Sequence, residues 1–191
     1  MVKFIKSANF VSEYFEDKRK QICFVGRSNA GKSSLINALA NQNISKVSST
    51  PGKTQLVNFF DFDNIVLVDL PGYGYAKTSK SDSEKIQSLI FEYLNYSKKL
   101  SAIFQLCSVD VITEQDLQIS FELKKISNKF NLSYFLVLTK IDKIKFGKLK
   151  EQLKNVQNSF HLDTNDVVCI SSKQKININI IKSIINKLAK K

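Results

Sequence analysis

Cysteine and histidine, the side chains from which disulfides and most zinc sites are built, are scarce in this sequence. The 191 residues include three cysteines and one histidine, and Cys23, Cys107 and Cys169 stand far apart with no Cys-x-x-Cys pair. Neither a disulfide framework nor a zinc site is supported. Each cysteine lies in an apolar run that we interpret as a strand, where a free thiol behaves as a small buried hydrophobe. The sole histidine, His161, has no carboxylate or nucleophile pattern around it, so we assign it no chemistry.

Long apolar runs and domain linkers are also missing. No run approaches the roughly 20 residues of a membrane-spanning helix, and residues 1–20 lack the apolar centre of a signal peptide, so we expect a soluble, cytosolic protein. The two prolines, Pro51 and Pro71, stand in glycine-containing turns, and no repeat or low-complexity block divides the chain. We therefore expect one domain over residues 1–191, with residues 1–20 as an N-terminal extension packed on it or flanking it.

Arginine is scarce although the composition is strongly basic. Lysine and arginine total 29 against 17 acidic residues, for a net charge of +12, and only Arg19 and Arg27 are arginines. Such a surplus attracts phosphate polyanions or acidic membrane surfaces without specifying either. Lysines make diffuse phosphate contacts rather than bidentate contacts to bases. Lysine together with abundant asparagine and isoleucine also fits biased codon usage, so the charge alone leaves both interpretations open.

Short apolar runs alternate with longer helical patterns along the chain. The predicted strands cover residues 21–25, 56–62, 65–69, 102–107, 134–139 and 167–170, and the predicted helices cover residues 32–40, 82–98, 113–128, 148–160 and 177–189. The turn signal Asp63-Asn64 predicts a hairpin between the second and third strands. We expect a three-layer α/β fold, with helices on both faces of a mostly parallel six-stranded sheet that has one antiparallel strand.

A glycine-bracketed motif, which we call the phosphate loop, follows the first predicted strand and opens the first predicted helix. It reads Gly26-Arg27-Ser28-Asn29-Ala30-Gly31-Lys32-Ser33 and continues into Ser34. Loops of this spacing point backbone N–H groups at phosphate oxygens, and the helix N-terminus adds a partial positive charge. Lys32 would supply charge to the terminal phosphates, and the Ser33 hydroxyl would coordinate Mg²⁺. The motif predicts binding of a nucleoside triphosphate.

Three further polar motifs stand where predicted strands end, which is the edge of such sheets that binds ligands. They are Asp69-Leu70-Pro71-Gly72, Thr139-Lys140-Ile141-Asp142 and Ser171-Ser172-Lys173. Asp69 would hold Mg²⁺ through water, and the Gly72 N–H would sense the terminal phosphate. The Asp142 carboxylate could accept from two N–H donors of guanine, with the Lys140 stem over the ring. Each motif alone fits a surface turn, but their order predicts a guanine nucleotide site.

The ordered motifs resemble those of translation-factor-class P-loop GTPases, and more narrowly those of the bacterial EngB (YihA/YsxC) family of GTP-binding proteins. The narrower resemblance rests on the phosphate loop, on Thr50-Pro51-Gly52-Lys53-Thr54-Gln55 and on Val68-Asp69-Leu70-Pro71-Gly72-Tyr73-Gly74-Tyr75. It spans nearly the whole chain. It implies that Gly52, Lys53 and Thr54 lie in a first switch loop, and that Thr54 joins Ser33 on Mg²⁺. Ser108 and Asp110 stand where the family commonly carries an acidic and a basic residue.

The resemblance also implies GTP hydrolysis, with catalytic roles for Asn29, Lys32, Thr54 and Gly72. The residue after Gly72 is Tyr73 and not the glutamine that orients water in Ras-like proteins, so intrinsic hydrolysis should be slow. Similar GTPases use an asparagine at the position of Asn29 to hold K⁺, which suggests that K⁺ accelerates hydrolysis.

The family resemblance implies a GTP/GDP switch that assists assembly of the large ribosomal subunit and is needed for normal cell division and septation. We expect the chain to be a monomer. Its partner would be a ribosomal particle, through ribosomal RNA or a ribosomal protein. The alternative is a regulatory GTPase of cell division that binds protein without RNA contact. A metabolic ATPase or kinase lacks residues for adenine or an acceptor.

Overall fold

A computed structural model describes residues 2–45, 56–74 and 79–190 of the chain. The strands are β1 Val2–Ala8, β2 Lys20–Gly26, β3 Val57–Phe62, β4 Ile65–Asp69, β5 Leu100–Ser108, β6 Ser133–Thr139 and β7 Val167–Cys169. The helices are α1 Lys32–Ala40, α2 Lys80–Tyr96, α3 Glu114–Phe130, α4 Phe146–Phe160 and α5 Ile178–Lys190. Within the described ranges, no helix is long and apolar enough to cross a membrane.

The strands form one sheet in the order β1-β3-β4-β2-β5-β6-β7. Strand β3 pairs antiparallel with β1 and with β4, whereas the other pairs are parallel. The mostly parallel sheet with one antiparallel strand is therefore confirmed. The predicted hairpin is also confirmed, since Phe62 pairs with Ile65 across the turn Asp63-Asn64.

The predicted number of six strands is wrong, because the sheet has a seventh strand, β1, at its edge. The strand lies within the N-terminal 20 residues, for which the sequence predicts no element. Its residues Lys3, Phe4 and Lys6 are exposed, and its register on β3 shifts between Phe4 and Lys6. An edge strand with a bulge does not show the clean alternation that identifies a half-buried strand.

Helices cover both faces of the sheet, as predicted. One apolar cluster joins the sheet to α2, α3 and α4, through residues such as Ile90, Leu123 and Phe160. The other joins it to α1 and α5, through residues such as Leu35 and Ile185. Burial of a leucine or isoleucine side chain contributes about 1.5–3 kcal/mol, so these clusters fix the sheet between its helices.

The parallel strands bring their carboxyl ends to one edge of the sheet. The residues at or just after these ends include Gly26, Asp69, Thr139 and Ser171. The motifs singled out in the sequence therefore meet at this edge. All three cysteines lie in strands, as predicted, with Cys23 and Cys107 buried and Cys169 partly buried.

Candidate functional site

The phosphate loop connects β2 to α1 and is packed closely against β5. A Cβ atom on Gly26 would lie 2.5 Å from the carbonyl oxygen of Leu106 on β5, so no other residue fits there without displacing backbone. Asn29 has a left-handed backbone with a φ of 64°, a conformation that asparagine tolerates better than most residues. The loop then enters α1 at Gly31, which caps the helix.

Lys32 is held inside the phosphate loop. Its side chain is buried, with 8% exposure, and its Nζ donates to the carbonyl oxygen of Gly26 at 3.0 Å and to that of Arg27 at 3.4 Å. Burial lowers the pKa of Lys32, and the nearby Asp69 carboxylate opposes that shift. The ammonium group is thus fixed by backbone acceptors beneath the loop.

Asp69 ends β4 beneath the same loop and is 1% exposed. Burial raises the pKa of Asp69 to about 6, although Lys32 and a hydrogen bond from Ser33 act in the opposite direction. The Ser33 hydroxyl donates to Oδ2 at 3.4 Å. The other oxygen, Oδ1, is buried and has no hydrogen-bond partner among the described residues. An orphaned carboxylate oxygen beside a hydroxyl is a donor set that suits a hard cation such as Mg²⁺.

The segment after β4 lies directly on the phosphate loop. A Cβ atom on Gly72 would come within 2.9 Å of Ser28 N and Cα and 3.1 Å of Lys32 Nζ, so only glycine fits. The Ser28 N–H donates to the carbonyl oxygen of Tyr73 at 2.8 Å. Gly72 therefore lies beside the lysine that would face the terminal phosphate.

Thr139 and Lys140 tie the end of β6 to the phosphate loop. The Thr139 hydroxyl donates to the carbonyl oxygen of Ala30 at 2.6 Å, and Lys140 Nζ donates to that of Asn29 at 2.7 Å. Burial lowers the pKa of Lys140, with Lys143 acting in the same direction. The sequence suggests only contacts to the base for Lys140. Lys140 also supports the phosphate loop, through its hydrogen bond to a backbone carbonyl oxygen. Sequence motifs are patterns of side chains, so they do not reveal this contact.

Asp142 and Ser171 come together from two different loops. The Ser171 hydroxyl donates to Asp142 Oδ1 at 2.5 Å, and Ser171 is fully buried. Ser171 and Ile176 exchange two backbone hydrogen bonds, which close the loop after β7. The carboxylate assigned to guanine is thus fixed by a neighbouring motif.

A polar depression of about 490 Å³ lies between α1 and the loop after β7. Apart from Ala38, its lining residues carry hydroxyl, amide or ammonium groups, and they are Ser34, Ser172 and Lys173, together with Asn37, Asn41, Gln42, Asn43 and Lys175. The size suits part of a nucleotide. Three of the predicted binding residues therefore share one depression beside the phosphate loop.

The structure brings together the predicted site residues of the phosphate loop, of the segment after β4 and of the loops after β6 and β7. Gly52, Lys53 and Thr54 lie outside the described residues, as does Tyr75. Their assignments stay predictions.

Asp110, at the point where the sequence departs from the family pattern, has a basic partner from another loop. Lys143 Nζ approaches Asp110 Oδ2 at 2.5 Å, and the Ser108 hydroxyl donates to Asp110 Oδ1. Burial acts to raise the pKa of Asp110, but the hydrogen bonds from Lys143 and Ser108 hold it below its ordinary value. An acidic and a basic group still meet after β5, although the basic group comes from the segment after β6.

Comparisons with known proteins show which family the chain belongs to. A family model described as 50S ribosome-binding GTPase matches residues 21–140. The probable GTP-binding protein EngB of Malacoplasma penetrans is 46% identical over 185 residues, which are 97% of this chain and 97% of that protein. The chain belongs to the EngB family of GTP-binding proteins. The EngB protein of Mycoplasmopsis synoviae is 42% identical over 188 residues, covering 97% of this chain and 98% of that one.

A crystal structure of a probable EngB protein shares the fold. It aligns with a TM-score of 0.73 at 23% identity, covering 89% of this chain and 98% of the other. This likeness confirms the P-loop GTPase fold, and the family model and the sequence identities confirm the EngB resemblance. EngB membership also supports GTP and GDP as the ligands of the site and GTPase as the class of activity.

Proposed function

We propose that this chain is a slowly hydrolysing GTP switch that acts with Mg²⁺ in assembly of the large ribosomal subunit. The observation that carries the proposal is the convergence of its motifs. Buried Lys32 and Asp69 lie under the phosphate loop, and Lys140 supports the same loop from the motif that contains Asp142. Normal cell division and septation would depend on the switch, which would work as a single-domain cytoplasmic monomer.

Phosphate binding follows from the charges under the loop. Lys32 and the backbone N–H groups of the phosphate loop bind the phosphates, and the Gly72 N–H contacts the terminal one. Ser33 and Asp69 would hold Mg²⁺, with Thr54 as a further ligand. The bound ion supplies positive charge against the phosphate oxygens.

Slow intrinsic hydrolysis is supported by the position of Tyr73. Its side chain is buried and its hydroxyl donates to Asp116, so it does not reach toward a water beside the terminal phosphate. No glutamine replaces it at that place in the sequence. We propose that Asn29, which is exposed on the phosphate loop, helps hold K⁺ there and that K⁺ assists hydrolysis.

An RNA partner is supported by the charge on α5. Residues 167–191 contain six lysines and no acidic residue. The outward side of α5, which we call the α5 lysine face, lines a shallow depression of about 360 Å³ with Asn179, Lys182, Ser183, Asn186, Lys187 and Lys190. Its opposite side buries Ile181, Ile185 and Leu188. A surface of one charge sign, rich in amides, suits a sugar-phosphate backbone.

The test is association with purified large ribosomal subunits at rising salt concentration, in the presence of GDP or of a nonhydrolysable GTP analogue. We expect stronger association with the analogue. Replacing Lys182, Lys187 and Lys190 by Gln should weaken association and reduce the slope of log affinity against log salt by roughly two, since each lost phosphate contact removes about 0.7–0.9.

The matched control removes equal charge from another face. Replacing the exposed Lys148, Lys150 and Lys154 of α4 by Gln should leave association unchanged. Equal losses in the two triple variants would mean that only net charge matters and would contradict the α5 assignment. No association at low salt in either nucleotide state would contradict the ribosomal proposal and favour the protein-binding alternative.

A further inference from the structure

Tyr73 contacts the phosphate loop with its backbone and helix α3 with its side chain. Its carbonyl oxygen accepts from the Ser28 N–H at 2.8 Å. Its ring is 1% exposed, and its hydroxyl donates to Asp116 Oδ1 at 2.9 Å. Asp116 lies in the first turn of α3. Tyr73, which directly follows Gly72, therefore connects the phosphate loop to helix α3.

The acceptor at the α3 end is firmly held. Asp116 Oδ2 accepts from the Thr113 N–H at 2.9 Å, and the Asp116 N–H donates to the Thr113 hydroxyl oxygen at 3.4 Å; these two bonds form the capping box of the helix. The Thr113 hydroxyl also donates to Oδ2 at 2.8 Å. Helix capping therefore uses Oδ2. Oδ1 is left to accept from Tyr73, so the contact between Tyr73 and Asp116 is separate from the helix cap.

A buried cluster of hydrogen bonds surrounds the Tyr73 hydroxyl. Gln105 Nε2, on β5, donates to the Asp116 carbonyl oxygen at 2.9 Å and to the Tyr73 hydroxyl at 3.3 Å. Gln105 Oε1 accepts from the Tyr134 hydroxyl at 2.5 Å, and that hydroxyl is 2.9 Å from the Ser120 hydroxyl. Because burial raises the pKa of Tyr73, its hydroxyl remains a donor. Buried polar clusters that are satisfied in this way have one strongly preferred arrangement.

The segment that this cluster anchors contains two glycines. Tyr73 is flanked by Gly72 and Gly74, and Gly74 has a positive φ of 68°. Glycines lose more backbone entropy on ordering than other residues. Between them, Tyr73 supplies a buried, hydrogen-bonded side chain that can fix the direction of the Gly72 N–H.

We propose that Tyr73 is a positioning residue for the terminal phosphate of GTP. Through its hydrogen bond to Asp116, it holds Gly72 against the phosphate loop before nucleotide binds. GTP, which meets the Gly72 N–H, gains affinity from this preorganisation. GDP lacks the third (γ) phosphate that meets this N–H, so its affinity gains nothing. The inference rests on the proposed function, in which Gly72 senses that phosphate.

The test is the ratio of affinities for a nonhydrolysable GTP analogue and for GDP, measured by calorimetric titration on wild type and Tyr73→Phe. The variant keeps the ring and loses the hydroxyl. We expect its affinity for the analogue to fall about three- to tenfold, as for loss of one buried hydrogen bond, while its affinity for GDP stays unchanged.

The control variant is Tyr134→Phe, which removes the same kind of hydroxyl from the other end of the cluster. It should lower the unfolding temperature of the nucleotide-free protein, as Tyr73→Phe should, without changing the affinity ratio. The inference is overturned if Tyr73→Phe loses affinity for the GTP analogue and for GDP equally. It is also overturned if wild type and both variants have the same ratio of these affinities, because the Tyr73 hydroxyl would then contribute only to stability. A wild-type chain that fails to bind guanine nucleotides would instead overturn the proposed function.

Discussion

The phosphate end and the base end of the site are built differently. At the phosphate end, Lys32 and Asp69 are buried, and their positions follow from the ends of β2 and β4. At the base end, Lys140 and Asp142 are only partly buried and stand on loops, where single side-chain hydrogen bonds hold them. Groups fixed by the sheet should determine whether any nucleotide binds. Groups fixed by loop contacts should determine which nucleotide binds.

Lys32→Ala should have the largest effect. The variant loses the buried cation that would make charge-assisted hydrogen bonds to phosphate oxygens, each contributing about 1.5–3 kcal/mol. We expect affinities for GTP and for xanthosine triphosphate to fall together, by roughly a hundredfold or more. Fluorescence titration with both nucleotides measures this. A large loss of affinity for only one of the two nucleotides would contradict the proposed difference between the phosphate end and the base end.

Asp142→Asn should change the preferred base and leave phosphate binding intact. Two charge-assisted hydrogen bonds to guanine are lost, so GTP should bind about a hundredfold more weakly. Xanthosine triphosphate, whose altered base edge suits an amide, should bind better than GTP. Competition titration of the two nucleotides reads out the preference. An unchanged preference for GTP would remove Asp142 from base recognition.

Replacing Na⁺ by K⁺ should accelerate hydrolysis at the phosphate end without altering the choice of base. A cation held near Asn29 would stabilise negative charge that develops on the phosphoryl oxygens, for an increase of about tenfold or more. Single-turnover hydrolysis in each salt, at equal ionic strength, gives the ratio. Identical rates would reject a role for K⁺.

Ser171→Ala should have the smallest effect. Its hydroxyl orients Asp142 and does not itself carry charge, so we expect GTP affinity to fall about two- to tenfold. Affinity for inorganic triphosphate, which has no base, should stay at the wild-type value in a competition assay. A comparable loss for triphosphate would mean that Ser171 supports the whole site.

Most elements could be predicted from the sequence because their signals are local. The pattern at residues 32–40 gives the bounds of α1, and the hairpin follows from a two-residue turn. Strand β1 could not be predicted in the same way, because it pairs with β3, 49 to 60 residues away, and its exposed side chains lack alternation.

The site shows the same division between local and distant signals. The spacing of the motif residues alone predicts the phosphate loop and the motifs at the ends of strands. The side-chain direction of Tyr73 depends on Asp116, 43 residues later, and Lys140 finds its acceptor at Asn29, 111 residues earlier. Both contacts form only when the whole sheet has assembled, so no local sequence pattern predicts them.

The bond between Ser171 and Asp142 also sets an order of events during synthesis. Chains grow at about 5–20 residues per second, so the residues of the phosphate end are made several seconds before Ser171. An unfinished chain that ends before β7 lacks the partner of Asp142 and also α5, which closes one of the two apolar clusters. We expect selective recognition of guanine to be the last property that the growing chain acquires.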